Sequence, residues 1–253
     1  MQRTPASLLT ILFQDDALVA VEKPAGLAVI PGRAETDSVL ERLGRQLNLS
    51  VTGEADPRLR VVHRLDKDTS GVMLFAKSIE AQRHLSHQFQ NNTVEKEYLA
   101  LVAGKADSEH GEINVPLGPH PTVKERRTVL KHGGRPAKTR WTVEARFRGF
   151  TLLRVFPKTG KTHQIRVHLN HIGLPLAIDS IYNASGTEAL YLSDFKRGYR
   201  PDKSGDERPL IARLTLHAYS IKVVHPTGTD MIFTSAVPKD FRVTLAQLGK
   251  HAV

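Results

Sequence analysis

The chain has 253 residues, of which 40% are hydrophobic and 25% are charged, a balance typical of a globular protein and not of a disordered one. It has no cysteine, which excludes disulfides, cysteine-ligated metals and thiol nucleophiles. Lys and Arg number 36 against 26 Asp and Glu, a formal net charge of +10. This excess indicates a polyanionic partner, most often nucleic acid. The alternative is a solvated surface that is basic without binding such a partner.

Hydrophobic patterning predicts short strands separated by a few helices. The runs that predict strands, in chain order, are 8–13, 18–21, 59–62, 72–76, 93–103, 139–147, 150–156, 214–224 and 231–236. Helices are predicted after a cap at Asp37, after a cap at Ser78, from Thr162 to a Gly173 terminus, and around Phe241–Leu248. Residues 105–137 and 183–209 are rich in polar residues and predict loops, the first with one short strand.

Strands outnumber helices, and hairpins join many of them. The prediction is an α+β fold with a mixed, mainly antiparallel central sheet, flanking helices and a cleft. No linker divides the sequence, so residues 1–253 are expected to form a single domain. No apolar run approaches the ~20 residues of a membrane span, and 8–13 is too short for a signal peptide. A cytoplasmic protein is therefore expected. We also expect a monomer.

The loop His63–Gly71 is the strongest candidate for chemistry. Seven of its nine residues are polar or charged, yet an apolar predicted strand flanks it on each side. A polar loop fixed at both ends by a sheet is a good mount for a reactive group. The alternative from spacing alone is an ordinary surface loop in which Arg64 pairs with Asp66.

Two other patterns are weaker. Gly160-Lys161-Thr162 resembles the end of a nucleotide-binding P-loop, but the glycine that such a loop needs five residues earlier is Val155. His168 and His171 offer an i, i+3 pair with no third ligand nearby in the sequence, which favours helix histidines over a metal site. We therefore expect no metal and no cofactor.

Several motifs together resemble the RluA-type RNA pseudouridine synthases. The residues His63–Lys77, HRLDKDTSGVMLFAK, closely resemble that family's signature. Three further segments match in the right order: Lys23-Pro24-Ala25-Gly26, Lys96-Glu97-Tyr98, and 159–168, TGKTHQIRVH. The resemblance covers about residues 11 to 240 and implies the family's fold, a mixed sheet with outer helices and a cleft.

The resemblance implies a role for each matched residue. Asp66 corresponds to the single catalytic aspartate, and Arg64 to the arginine that helps hold the flipped-out nucleotide. Tyr98 corresponds to the tyrosine beside the target base, and Arg166 to the basic residue that pairs with the aspartate. An ionised Asp66 would act as a nucleophile on the sugar or as a base.

The expected activity is conversion of uridine to pseudouridine in rRNA or tRNA, without metal or nucleotide cofactor. The alternatives are a catalytically inactive RNA-binding protein on the same fold and a nucleoside-level glycosidase. Ordinary glycosidases use a second acid, which the motifs do not offer. Many relatives carry an N-terminal S4 RNA-binding domain, for which the sequence before residue 20 has no room, so substrate choice is expected to come from the catalytic domain.

Two departures from the family pattern stand out. Ala177-Ile178-Asp179 replaces the family's common Gly-Asp but keeps the acid. The segment 183–213 is longer than expected, and its middle concentrates positive charge among aromatic residues. Lys196, Arg197 and Arg200 are therefore candidate contacts to the RNA backbone, while the alternative is that Tyr191, Phe195 and Tyr199 only pin a surface loop.

Overall fold

A computed structural model describes residues 8–32, 37–52, 58–199 and 206–252 of the chain. These residues form two compact units. The first unit combines residues 1–96 with 218–236, and the second combines 97–217 with 237–253. None of the helices in the described ranges combines the length and the hydrophobicity that a membrane span requires.

The first unit is built on antiparallel strands. Its elements are β1 (Ile11–Gln14), β2 (Leu18–Lys23), α1 (Val39–Leu47), β3 (Arg60–Val61), β4 (Ser70–Ala76), α2 (Ile79–Gln90), most of β11 (Leu216–Val224), and β12 (Asp230–Thr234). The strand order is β1-β2-β4-β11, with β3 also paired to β4 and β12 to β11. The runs predicted at 72–76 and 231–236 become β4 and β12, which confirms the antiparallel part of the prediction.

Serine caps begin both helices of this unit. Ser78 accepts a bond from the Ala81 amide at the start of α2, as the sequence predicts. At α1 the cap is Ser38, which accepts from the Glu41 amide, and the prediction of Asp37 was wrong by one residue. The Asp37 carboxylate instead bonds the guanidinium of Arg42 one turn into the helix.

Gly71 allows β4 and β11 to approach closely. Its φ of +127° lies in a region that side chains rarely adopt, and a Cβ there would lie 2.1 Å from the carbonyl oxygen of Ala218. Only glycine fits this position, at the point where the polar loop becomes β4.

The second unit is also built on antiparallel strands. Its elements are most of β5 (Glu95–Ala103), β6 (His110–Asn114), β7 (Leu117–Pro119), β8 (Arg127–Val129), β9 (Lys138–Phe147), β10 (Phe150–Pro157), α3 (Gln164–His171), a 3-10 turn (Leu192–Asp194), and α4 (Lys239–His251). The strand order is β5-β10-β9-β6, and β7 and β8 form a separate hairpin. Residues 105–137 therefore hold three short strands, not the single one predicted.

The core of the second unit lies between this sheet and α3. Ile165 and Leu169, on one face of the helix, pack with Ala100, Val102 and Leu153. The helix begins at Gln164 instead of Thr162, because His163 takes a left-handed φ of 56° that ends the preceding turn. Gly173, at φ 77°, follows the end of the helix as predicted.

Candidate active site

Asp66 lies in a tight turn between β3 and β4 in the first unit. The amide of Thr69 donates to the carbonyl of Asp66 at 3.1 Å and closes the turn. Leu65, before it, and Thr69, after it, are buried, while Asp66 itself is half-buried. The buried Leu65 and Thr69 therefore fix the turn on both sides of Asp66, which keeps part of its surface accessible to solvent.

The side chain of Lys23 fixes the backbone of the same turn. Its side chain is 1% exposed, and its Nζ donates to the carbonyl oxygens of Lys67 at 2.7 Å and Pro24 at 2.8 Å. A buried ammonium needs such acceptors, because water is excluded from it. The lysine of the Lys-Pro-Ala-Gly motif thus holds the backbone immediately after Asp66.

His63 anchors the other end of the turn. Strand β3 meets β4 only at Phe75 and Ala76, and beyond that point the His63 Nε2 accepts the amide of Leu74 at 3.0 Å. The ring stacks on Phe89 with centroids 4.7 Å apart. Because Nε2 accepts, the neutral ring carries its proton on Nδ1.

Burial strengthens this assignment of the His63 ring. Desolvation, helped by the positive charge of Lys96, lowers the pKa of His63 to about 3. The imidazole is therefore neutral at physiological pH and serves as an acceptor that continues the ladder of β4. Arg64, the next residue, is exposed.

Tyr98 lies on β5 in the second unit. It pairs in register with Val155 of β10 and packs, half-buried, against the core that includes Ile165 of α3. Ala100 and Val102 follow on the same face, as the two-residue period of a strand requires. The tyrosine ring thus stands at the end of a row of small buried side chains.

Arg166 projects from α3 into the interior of the second unit. Its Nε and Nη2 donate to the two carboxylate oxygens of Asp179 at 2.8 and 2.7 Å. The side chains are 5% and 1% exposed. Oδ1 of Asp179 also accepts hydrogen bonds from the amides of Ile181 and Tyr182. These backbone contacts fix the carboxylate, and the carboxylate in turn fixes the Arg166 guanidinium.

Tyr182 lies beside this ion pair. The Arg166 guanidinium carbon is 5.1 Å from the centre of the tyrosine ring, within the range of a cation–π contact. The Tyr182 hydroxyl accepts the amide of Arg127 at 2.8 Å and bonds Nδ1 of His163 at 2.8 Å. Burial raises the pKa of Tyr182, so the hydroxyl keeps its proton and can donate it to His163.

Gln164 and His168 serve the structure of the TGKTHQIRVH segment. Gln164 Oε1 accepts from the hydroxyl of Thr159 and the amide of Lys161, and its Nε2 donates to the hydroxyl of Thr139. Nδ1 of His168 bonds the same hydroxyl at 2.8 Å, and its Nε2 donates to a backbone carbonyl. Both ring nitrogens of His168 are thus engaged in the core.

The segment that follows Tyr182 is tied to the second unit near its basic residues. Phe195 is 4% exposed, and its carbonyl accepts from Nη2 of Arg148 at 2.9 Å. Lys196 is half-buried with Nζ 5.8 Å from the ring centre of Tyr199, and Arg197 is exposed. Arg200, the third predicted contact, lies outside the described residues.

In the described ranges, no three His, Asp or Glu side chains are grouped so that they could hold a metal ion.

A family model described as RNA pseudouridylate synthase matches residues 17–171. The chain belongs to this family. The match spans β2 to the end of α3 and so contains Asp66, Tyr98 and Arg166. The resemblance read from the motifs is confirmed.

Curated members of the family resemble the chain over most of its length. It is 40% identical over 239 residues to ribosomal large subunit pseudouridine synthase D of Nitrosomonas europaea, covering 94% of this chain and 64% of the relative. It is 36% identical over 247 residues to synthase C of Pasteurella multocida, covering 95% and 68%. The chain thus spans about two thirds of the length of these relatives.

Solved structures of the family agree with the fold. Human RNA pseudouridylate synthase domain containing 4 is 25% identical with a TM-score of 0.72, covering 95% of this chain and 93% of that one. Human RNA pseudouridylate synthase domain containing 1 is 22% identical with a TM-score of 0.69, covering 93% and 86%, a likeness in fold. The predicted α+β class is confirmed.

The motifs located the turn of Asp66 and the helix of Arg166. They did not predict the contacts that Asp179, Lys23 and His63 make in the structure. Asp179 was noted only as an acid that the departure at 177–179 leaves in place. Lys23 had a signal of its own, since a lysine two residues after a predicted apolar strand, in the Lys-Pro-Ala-Gly motif, needs acceptors if it is buried. The pairing of Arg166 with Asp66 stays a prediction of the resemblance.

Proposed function

We propose that the protein is an RNA pseudouridine synthase that isomerises uridine in ribosomal RNA, with Asp66 as its catalytic residue. One observation carries the proposal: the aspartate of the family signature sits half-buried in a turn that Lys23 and His63 fix at both ends. A carboxylate held in this way loses little freedom when it meets a substrate, which is the usual design of a reactive group.

The reaction is consistent with a single carboxylate. The bond from N1 of uracil to C1′ of ribose breaks, the base turns, a bond forms from C5 to C1′, and C5 gives up its proton while N1 gains one. No atom enters or leaves, so neither a water nucleophile nor an oxidant is required. Asp66 serves as the nucleophile at C1′ or as the base that removes a proton.

The other predicted residues keep their roles within this proposal. Arg64, exposed on the turn, would hold the flipped-out nucleotide, because unstacking a base costs a few kcal/mol that protein contacts must offset. Tyr98 would stand beside the target base, and Arg166 would supply a fixed positive charge. Lys196, Arg197 and Arg200 would contact the RNA backbone. Residues 1–253 are taken as one catalytic domain, because β5 and β11 pass from one unit to the other.

The relatives named for the large ribosomal subunit favour ribosomal RNA over transfer RNA. The proposal includes a cytoplasmic location, where ribosomal RNA is found, and a monomeric enzyme without a cofactor. The alternative is an inactive RNA-binding protein on the same fold. The retention of Asp66, Tyr98 and Arg166 together argues against it, since a binder need not keep all three.

The direct test is to map pseudouridines in ribosomal and transfer RNA from cells with and without the gene. The proposal predicts one or more sites in large-subunit rRNA that disappear on deletion. The sites should return with a plasmid copy of the wild-type gene and not with an Asp66→Asn copy. An unchanged map in both RNA classes would overturn the proposal and leave the binding function.

A further inference from the structure

A cavity of about 420 Å³ lies within the second unit, between the hairpin β7–β8 and the turn that precedes α3. The residues that line it are Leu117, Gly118, Pro119, Arg127, Gly133, Arg135, Gly160, Lys161 and Thr162. We call this cavity the basic pocket. Its volume is in the range of pockets that bind small molecules.

The charge of the basic pocket is of one sign. Arg127, Arg135 and Lys161 line it, and none of the described lining residues is acidic. None of these three side chains forms an ion pair with a carboxylate in the ranges that the structure describes. Elsewhere in the same unit arginines are neutralised, as Arg154 is by Glu144. Three uncompensated cations around one concave space form an anion site.

The pocket also offers hydrogen-bond donors on backbone that can be approached closely. Gly133 presents main chain with open space where a Cβ would lie, and Gly160 also lines the pocket without a side chain. In the Arg127 guanidinium, only Nη1 donates hydrogen bonds to backbone carbonyls, those of Lys124 and Arg126. Such a mixture of point charge and main-chain donors suits phosphate oxygens.

Both walls of the pocket are held in place by buried contacts. Gln164 fixes one wall through the amide of Lys161. The hydroxyl of Tyr182 joins the two walls, because it accepts the amide of Arg127 on β8 and bonds His163, which follows Thr162. His163 has a left-handed backbone conformation at this point. Such a conformation is costly for a residue other than glycine and persists only where contacts with neighbouring residues hold it.

We propose that the basic pocket binds a backbone phosphodiester of the RNA substrate. This inference rests on the proposed function, because it takes RNA as the polyanion. The pocket includes the Gly160-Lys161-Thr162 motif, which resembles a nucleotide-binding loop in sequence only. Such a loop needs a glycine turn at position 155, but Val155 lies inside β10. The described residues that line the pocket include no aromatic ring on which a base could stack, so the pocket suits a phosphate of the RNA chain and not its base.

The test measures the affinity of large-subunit rRNA, transcribed in vitro, as a function of KCl concentration. The pocket variant combines Arg135→Gln with Lys161→Gln, because the described structure gives these two side chains no hydrogen bond to lose. Two lost phosphate contacts should reduce the slope of log affinity against log salt by roughly 1.4 to 1.8, and affinity at 0.1 M salt by about tenfold.

The matched control removes the same charge elsewhere in the unit, with Lys105→Gln and Lys250→Gln, both exposed. A second variant, Arg135→Lys with Lys161→Arg, keeps the charge and should keep the slope. Circular dichroism and thermal unfolding check that every variant folds. If the pocket variant does not fold, Arg135→Gln alone should still reduce the slope by roughly 0.7 to 0.9.

The outcomes separate this inference from the proposed function. A lower slope for the pocket variant than for the control supports the pocket, whether or not pseudouridine forms. Equal losses in both variants mean that only net charge matters, and they overturn the inference even if the enzyme is active. An unchanged slope in the pocket variant overturns it as well.

Discussion

Arg166 and Asp179 form a bidentate ion pair in the interior of the second unit, with two bonds of 2.7 and 2.8 Å and hardly any exposure. Desolvation offsets much of the attraction in such a pair, so its net contribution to stability is small. What the pair does supply is geometry. The planar guanidinium has one orientation, set by an acid that two backbone amides hold.

Removing one partner of this pair should lower the free energy of unfolding far more than removing both partners. Asp179→Ala removes the carboxylate that binds a buried guanidinium, and we expect the free energy of unfolding in urea to fall by about 3–5 kcal/mol. The double variant Arg166→Met with Asp179→Leu should recover most of that loss, yet it should stay without pseudouridine synthase activity. Recovery of activity together with stability would show that Arg166 is structural only.

Gly71→Ala should destabilise the first unit strongly. The new Cβ meets the Ala218 carbonyl at 2.1 Å, so β4 and β11 must separate, and φ is unfavourable as well. The control is Gly149→Ala, in a hairpin turn at φ 82° with open space around its Cβ site. Backbone strain alone costs about 1–2 kcal/mol. Urea unfolding should give a loss about 2 kcal/mol larger for Gly71→Ala, and equal losses would contradict the steric account.

The sequence predicted what local patterns encode and missed what long-range contacts decide. The serine before α2 was correct because capping is local. At α1 the miss is local too: Ser38 caps the helix, while the neighbouring Asp37 bonds Arg42 five residues further on. The motif placed Asp66 in a loop between strands. It could not show that Lys23, 44 residues before Lys67, holds that loop, because the contact exists only once β2 lies beside β4.

His63 should act as a positioning residue for the turn of Asp66. His63→Gln keeps an acceptor that can reach the Leu74 amide, whereas His63→Phe keeps the stacking and leaves that amide unsatisfied. We expect His63→Phe to lower kcat at least about tenfold with little change in KM, because a misplaced carboxylate affects the chemical step. His63→Gln should recover most of kcat. Equal kcat for both variants would exclude this role.

The buried histidines make stability depend on pH. Burial lowers the pKa of His63 to about 3 and that of His168 to about 4, below the usual 6.5. The unfolded chain therefore binds more protons than the folded one as pH falls below 6.5, and the free energy of unfolding decreases. Between pH 6.5 and 5 each histidine contributes up to about 1.4 kcal/mol per pH unit. Urea unfolding of His63→Gln should show a flatter pH dependence than wild type, and an identical slope would contradict the neutral ring.

Asp66 carries the chemistry in the proposed function, and a matched control for it lies two residues away. Asp68 is exposed in the same loop and carries the same charge, so Asp66→Asn and Asp68→Asn change the net charge equally. Both should bind large-subunit rRNA within about tenfold of wild type, since one small side chain adds little to a polyanion interface.

The most direct measurement is single-turnover pseudouridine formation by the two purified variants on that RNA. We expect no detectable product from Asp66→Asn and a rate within a few-fold of wild type from Asp68→Asn. Substantial turnover by Asp66→Asn, or an equal loss in both variants, would contradict this expectation.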